Sequence, residues 1–307
     1  MKEMKENPIT TENTVNTETV VTDAERTGFR DWIWMFTELR GYRELLWQMF
    51  LRDFRLRYKQ AVMGIIWAVF TPLMVVFSGS VLKFVMATVS GQPLELISFA
   101  NMSVKAIAWA FFIGILTNGA NSLLGNINLI TKIYFPREVF PISAALTQIF
   151  DTAVGAVLLF TLLAWVGIIQ WTLNLLWIPL LAVLLLFMAL AVSMLLSCAM
   201  VFYRDVKYLL NVFSSFGIFF SPVFFETAQL GPRLGSVMML NPVAPLLEGC
   251  RLVIVDGHNL IYPLYDAQNT LVWHPAFLLY SALLAILGLL FAWRYFHLKE
   301  KLYAEFI

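Results

Sequence analysis

Between Asp151 and Arg204 lie 52 consecutive residues without one Asp, Glu, Lys or Arg, dense in Leu, Val, Ile, Phe and Trp. As a single helix this run would be roughly 78 Å long, more than twice a ~30 Å hydrocarbon core. It must fold back. The reversal is marked by Gln170, Thr172 and Asn174, flanked by Trp165, Trp171 and Trp177, a residue type that favours the headgroup layer.

The rest of the chain fits that frame. With 60% hydrophobic residues, 13% charged residues and a mean hydropathy of +0.75, a soluble domain would expose a large apolar surface. Uncharged stretches predict six spans, at 61–82, 106–131, 139–165 (with Asp151 inside), 175–201, 208–225 and 275–293. Arg40, Arg43, Arg52, Arg55, Arg57 and Lys59 precede the first, Lys132 and Arg137 separate the second and third, Arg204 and Lys207 the fourth and fifth, and Arg294, Lys299 and Lys301 follow the sixth. The other side carries only Lys83, Lys105, Arg233 and Arg251. By the positive-inside rule both termini are cytoplasmic. The expected fold is an all-α, multi-pass integral membrane protein. It comprises a disordered tail (1–30), an amphipathic interfacial helix (31–60), a six-span domain (61–295) and a cytoplasmic C-terminal tail (296–307). Residues 1–28 are polar and hold no apolar core, so they read as neither signal peptide nor span. Cys198 is expected near the inner end of the fourth span and Cys250 in the external segment, too far apart for a disulfide.

Enzyme chemistry has no foothold here. His258, His274 and His297 are scattered, and the sequence has no Gly-x-Ser-x-Gly turn, no Cys-x-x-Cys and no glycine-rich phosphate loop. The one full charge near the centre of a span is Asp151. A carboxylate at that depth should face the bundle and find donors, with Asn118, Asn121 and Gln148 as candidates. It serves either as a structural hydrogen-bonding group or in gating and conduction.

On the cytoplasmic side, Leu39, Tyr42, Leu46, Phe50 and Phe54 recur at steps of three and four, with Arg43, Arg52, Arg55 and Lys59 on other faces. That pattern is an amphipathic surface helix, either a docking surface or a basic anchor. Between spans two and three, Ile133, Tyr134 and Phe135 stand among Lys132, Arg137 and Glu138. An exposed apolar cluster with a charged rim suits a partner's groove or interfacial lipid. Arg204, Asp205 and Lys207 form a second, more polar inner turn.

These residues carry a family resemblance. Residues 51–58 (Leu-Arg-Asp-Phe-Arg-Leu-Arg-Tyr), Gly64 to Val69 with Pro72, the loop 129–141, the turn 202–206, Ser221-Pro222 and Asn241-Pro242-Val243-Ala244-Pro245 occur in this order. Together they resemble polysaccharide-export permeases of the ABC-2 type, over about residues 40–300. The resemblance implies a homodimer bound to two ATP-hydrolysing subunits that hold the ATP and Mg, with no cofactor or metal in this chain and no nucleic-acid partner. It implies export of an undecaprenyl-linked glycan, O-antigen-like or capsular, across the bacterial inner membrane. Ile133, Tyr134, Phe135, Pro136, Arg137 and Glu138 would then receive the partner's motion, joined by Arg52, Asp53, Arg55, Arg204 and Asp205.

The external segment 226–266 holds apolar runs at 234–240 and 246–255, and Pro222, Pro232, Pro242 and Pro245 forbid one continuous helix. Short re-entrant helices are expected, as an outer gate by the resemblance or as a plain amphipathic cap. A sugar conduit combines aromatic faces with small polar groups. Its candidates are Trp67, Phe70, Trp109, Phe111, Phe112, Phe216, Phe219, Phe220, Phe224 and Phe225. Asn118, Asn121, Ser122, Ser214 and Ser215 are their polar neighbours, with Asp151, Asn241, Pro242 and Pro245 at the channel or gate. Packing and lipid contact are the competing roles for each aromatic. A different ABC-2 cargo (teichoic acid, lipid or drug) and a membrane enzyme acting on lipid-linked sugar are the other functional readings.

Overall fold

In the computed structural model, which describes residues 29–59, 66–90, 96–130, 135–265 and 271–306, the chain is helical almost throughout. The helices are α1 Phe29–Gly41, α2 Arg43–Lys59, α3 Ile66–Ser90, α4 Leu96–Gly125, α5 Ile127–Ile130, α6 Val139–Val166, α7 Trp177–Phe202, α8 Val206–Phe216, α9 Gly231–Met239, α10 Ala244–Ile254 and α11 Pro275–Phe306. The expected tail at 1–28 lies outside the described residues. The chain divides into two units between Gly41 and Tyr42. Of the first, α1 is the described helix. Everything below concerns the second. The periodic pattern from Leu39 to Phe54 therefore runs across a break between two helices.

The long uncharged run reverses where its polar residues stand. α6 ends at Gly167, whose φ of +79° is left-handed. Gly167 N donates to Ala164 O at 3.1 Å and Ile168 N to Leu163 O at 3.0 Å, closing the last turn as a glycine-terminated helix does. A 3-10 turn, Leu173–Leu176, then leads into α7. Trp165 and Trp171 are exposed at this hairpin.

Among the described residues four helices are long and apolar enough to cross a membrane: Leu96–Gly125, Val139–Val166, Leu173–Phe202 and Pro275–Lys299. α3, 25 residues long, stands where the first span was expected. Two expectations are corrected. α4 begins ten residues before the predicted 106, because Lys105 is a buried, paired residue inside the helix and not a boundary. The predicted fifth span at 208–225 is a shorter apolar helix, Val206–Phe220, made of α8 and a 3-10 turn. It stops because Ser221 precedes Pro222 and is forced into the extended region, at φ −123° and ψ 149°.

α4 packs against α6 and α7, and α7 against α11. The α4–α7 crossing is close at Gly119, where an added Cβ would lie 2.8 Å from Ser193 Oγ. That hydroxyl is already committed to Leu190 O at 3.0 Å. Gly119→Val is accordingly expected to cost about 1–3 kcal/mol through overpacking, seen as a lowered melting temperature in detergent. An unchanged melt would show that the crossing yields.

α9 and α10, the latter buried against α4 and α7, meet at a bend of 105°, each with a proline in its first turn. Asn241 joins them: its Oδ1 accepts from Val243 N at 3.1 Å and its Nδ2 donates to Phe220 O at 3.1 Å. The fold is not purely helical. Leu264–Tyr265 (β1) and Leu271–Trp273 (β2) pair antiparallel, with Leu264 opposite Trp273. Cys198 and Cys250 are both buried and unbridged.

Candidate functional site

The site begins where α2 climbs along α6. Ser143 Oγ donates to Asp53 Oδ2 at 3.4 Å, the Phe54 and Phe150 rings meet edge to face at 4.8 Å, and Arg57 and Tyr58 both bond to Asp151. From Ser143 to Asp151 is about 12 Å of helix rise. α2 therefore follows α6 inward along its length. Arg52 secures the start of this contact, donating to Asp53 Oδ1 at 2.7 Å and to Asn126 Oδ1 at 2.7 Å.

Asp151 is 8% exposed. Its donors are Arg57 and Tyr58, which replaces the expectation of Asn118, Asn121 or Gln148. Asn118 Nδ2 instead donates to Gln148 Oε1 at 3.1 Å, and Asn121 Nδ2 to Thr117 O at 2.8 Å. The reason is electrostatic: a cation offers a buried carboxylate far more than an amide does. Burial, and the hydrogen bond to Asp151, push the Tyr58 phenol well above its ordinary value. It remains a donor throughout the physiological pH range.

Above this pair opens a cleft of about 720 Å³. α2 supplies Arg57 and Tyr58, α4 supplies Trp109, Gly114 and Thr117, and α6 supplies Gln148, Asp151 and Thr152. Ser214, Ser215, Phe219 and Phe224 complete it from α8 and the turn beyond. Trp109 is held from behind by Phe112, with ring centroids 5.6 Å apart, and by Phe213 at 6.4 Å. The hydroxyls of Ser214 and Ser215 donate to Asn211 O, at 2.9 and 3.0 Å, leaving their lone pairs as acceptors. The lining thus offers aromatic faces, hydroxyls and one amide, with its single carboxylate paired to a cation.

Of the residues singled out in the sequence, the cleft brings together Trp109, Asp151, Ser214, Ser215, Phe219 and Phe224. Phe111 and Phe112 are buried in the core, while Phe70, Phe216 and Phe220 are exposed away from it. The Trp67 side chain is outside what is described. Phe225 leads into the segment that carries α9 and α10, and its carbonyl accepts from Lys105. Pro242 and Pro245 belong to the α9–α10 bend. Sequence reasoning missed Arg57, Tyr58 and Thr117. Arg57 and Tyr58 were legible as part of a basic stretch before an apolar segment and of the motif at residues 51–58.

In the loop before α6, Ile133 and Tyr134 lie outside the described residues. Phe135, Pro136, Arg137 and Glu138 are buried, not exposed as their composition suggested. The Phe135 ring packs 5.4 Å from that of Phe140, and Glu138 Oε1 lies 2.8 Å from His297 Nδ1 on α11. The turn spends these side chains on its own bundle. Arg55, Arg204 and Asp205 are exposed.

Residues 44–255 match the model of the family described as ABC-2 type transporter. The chain is 24% identical over 226 residues to the "O-antigen export system permease protein RfbA" of Myxococcus xanthus, covering 73% of this chain and 84% of that relative. It is 23% identical to two proteins of the same name from Klebsiella pneumoniae, over 209 and 212 residues, each 67% of this chain and 78% of the relative.

Proposed function

We propose a function from this premise: the chain belongs to the ABC-2 type transporter family. It is a multi-pass membrane transport component homologous to O-antigen export permeases, in a family that works with ATPase partners. On that basis we read it as the membrane subunit of an ATP-driven exporter that moves an undecaprenyl-linked, O-antigen-like or capsular polysaccharide outward across the inner membrane. Two copies form the conduit and two separate subunits hydrolyse ATP. Both termini are cytoplasmic. The six-span count is retained in this reading by taking α3 and the short α8 as spans within the dimer.

The observation that carries the proposal is the agreement of three relatives, all named for O-antigen export, each matched over most of its length. The cleft supports it. A wall of Trp109, Phe219 and Phe224 with serine, threonine and glutamine between the rings suits the C–H faces and hydroxyls of sugars. The turn 133–138 receives the stroke of the ATPase subunit, and the exposed Arg55, Arg204 and Asp205 add contacts to it. α9 and α10 form the outer gate.

The test is deletion of the gene followed by analysis of lipid-linked glycan. Accumulation of an undecaprenyl-linked polymer inside the cell, cleared by re-expression, is the expected result. Accumulation of a teichoic polymer would reassign the cargo, and an unchanged glycan pool with a changed lipid or drug profile would overturn the polysaccharide reading.

A further inference from the structure

The outer segment is fastened to the bundle by one face of α4. Asn101 and Lys105, one helical turn apart, lie on the same side of that helix. Asn101 Nδ2 donates to Glu226 Oε1 at 2.7 Å, and Lys105 Nζ donates to Phe225 O at 2.7 Å. The same Nζ reaches Glu248 Oε2 on α10 at 3.4 Å. Lys105 therefore holds the start of the outer segment and its second helix at one point. Glu248 is shared, its Oε1 accepting from Arg251 Nε at 2.7 Å, and Arg251 Nη1 donates onward to Asp256 Oδ2 at 2.8 Å.

Burial makes this arrangement an unusual way to seat a helix. Lys105 is 1% exposed, Glu248 0% and Arg251 5%. Desolvating such charges consumes much of their mutual attraction, so apolar residues of similar volume hold a helix at least as well. What an ion pair adds is two distinct states: closed and paired in a dry site, or open with both charges hydrated. An apolar contact has no comparable alternative when water enters.

Resting on the reading of α9 and α10 as the outer gate, we propose that Lys105 and Glu248 form the clasp of that gate. Closed, the pair keeps α10 seated on α4. Its parting frees α10 to move, while Arg251 stays anchored to Asp256. The two residues position the gate and do not touch the cargo.

Cys250, two residues beyond Glu248 on the same helix and 8% exposed, is a native reporter. The experiment uses the full-length chain in nanodiscs, with Cys198→Ser leaving Cys250 as the sole thiol, and a small membrane-impermeant methanethiosulfonate. The parent is expected to label slowly. Glu248→Gln alone, which leaves Lys105 without its counter-charge, is expected to label at least tenfold faster than the parent while still melting cooperatively. The doubly neutral Lys105→Met/Glu248→Gln variant, which leaves no unpaired charge between these positions, is expected to return to parental labelling. Parental labelling rates in Glu248→Gln would overturn the clasp, and so would fast labelling that persists in the double variant or that accompanies a collapsed melt, which is mere unfolding. The readout needs neither ATP nor glycan, so failure of the polysaccharide reading would leave this result standing.

Discussion

Alanine at Phe135 is expected to abolish export while ATP hydrolysis by the assembled transporter continues. The ring is 5% exposed and packs on Phe140, so its removal opens a void where α6 begins. Core Phe→Ala changes cost about 3–5 kcal/mol. That loss falls on the turn proposed to take up the partner's motion, and a softened turn dissipates displacement that a packed one transmits. Arg137→Glu, which reverses a buried charge beside Glu138, is expected to act in the same direction. Export and ATPase rates measured together check the idea, with membrane insertion as the control. Normal export from a protein carrying Ala at Tyr134, Phe135 and Arg137 would sink the coupling role.

The second large effect is expected at Asp151. Replacing it with Asn keeps the volume and an acceptor for Tyr58 but strips Arg57 of its counter-charge. Charge-assisted hydrogen bonds contribute about 1.5–3 kcal/mol each. The Arg57 side chain is 34% exposed, which places the loss toward the lower figure. The expected consequence is release of the end of α2 from α6, with export reduced about tenfold and a lower melting temperature. Asp151→Asn with export and melt both intact would make the carboxylate dispensable. Tyr58→Phe, which removes one donor and leaves the ion pair, is expected to do less than Asp151→Asn.

Much of this was legible from charge and hydropathy, and the misreadings of buried charge share one cause. The hairpin of α6 and α7 followed from the uncharged run, and the α9–α10 bend from proline placement. Asp151 stood out because it was alone. Its partners did not, because Arg57 and Tyr58 precede it by more than ninety residues and read naturally as part of a basic anchor. Lys105 misled in the same way. A charge in an apolar stretch reads as the edge of a span, although Glu248, 143 residues later, makes it an interior residue. Buried ions are legible only in pairs, and pairing is a property of the folded chain. The fifth segment is shorter than predicted for a local reason that was available: Ser221-Pro222 sits inside it, and the residue before proline resists helix. The burial of Phe135 to Glu138 was not available, since composition does not tell a side chain turned toward a partner from one turned toward its own α11.

α4 runs unbroken for 30 residues, about 45 Å at helical rise. The residue just past its C-terminal end, Asn126, accepts from Arg52, and its first turns hold Glu226, Phe225 and Glu248. It is thus a rod moored at both ends. A helix resists stretching far more than tilting, so the element that carries Arg52 and the segment that carries Glu226 and Glu248 share one stiff strut.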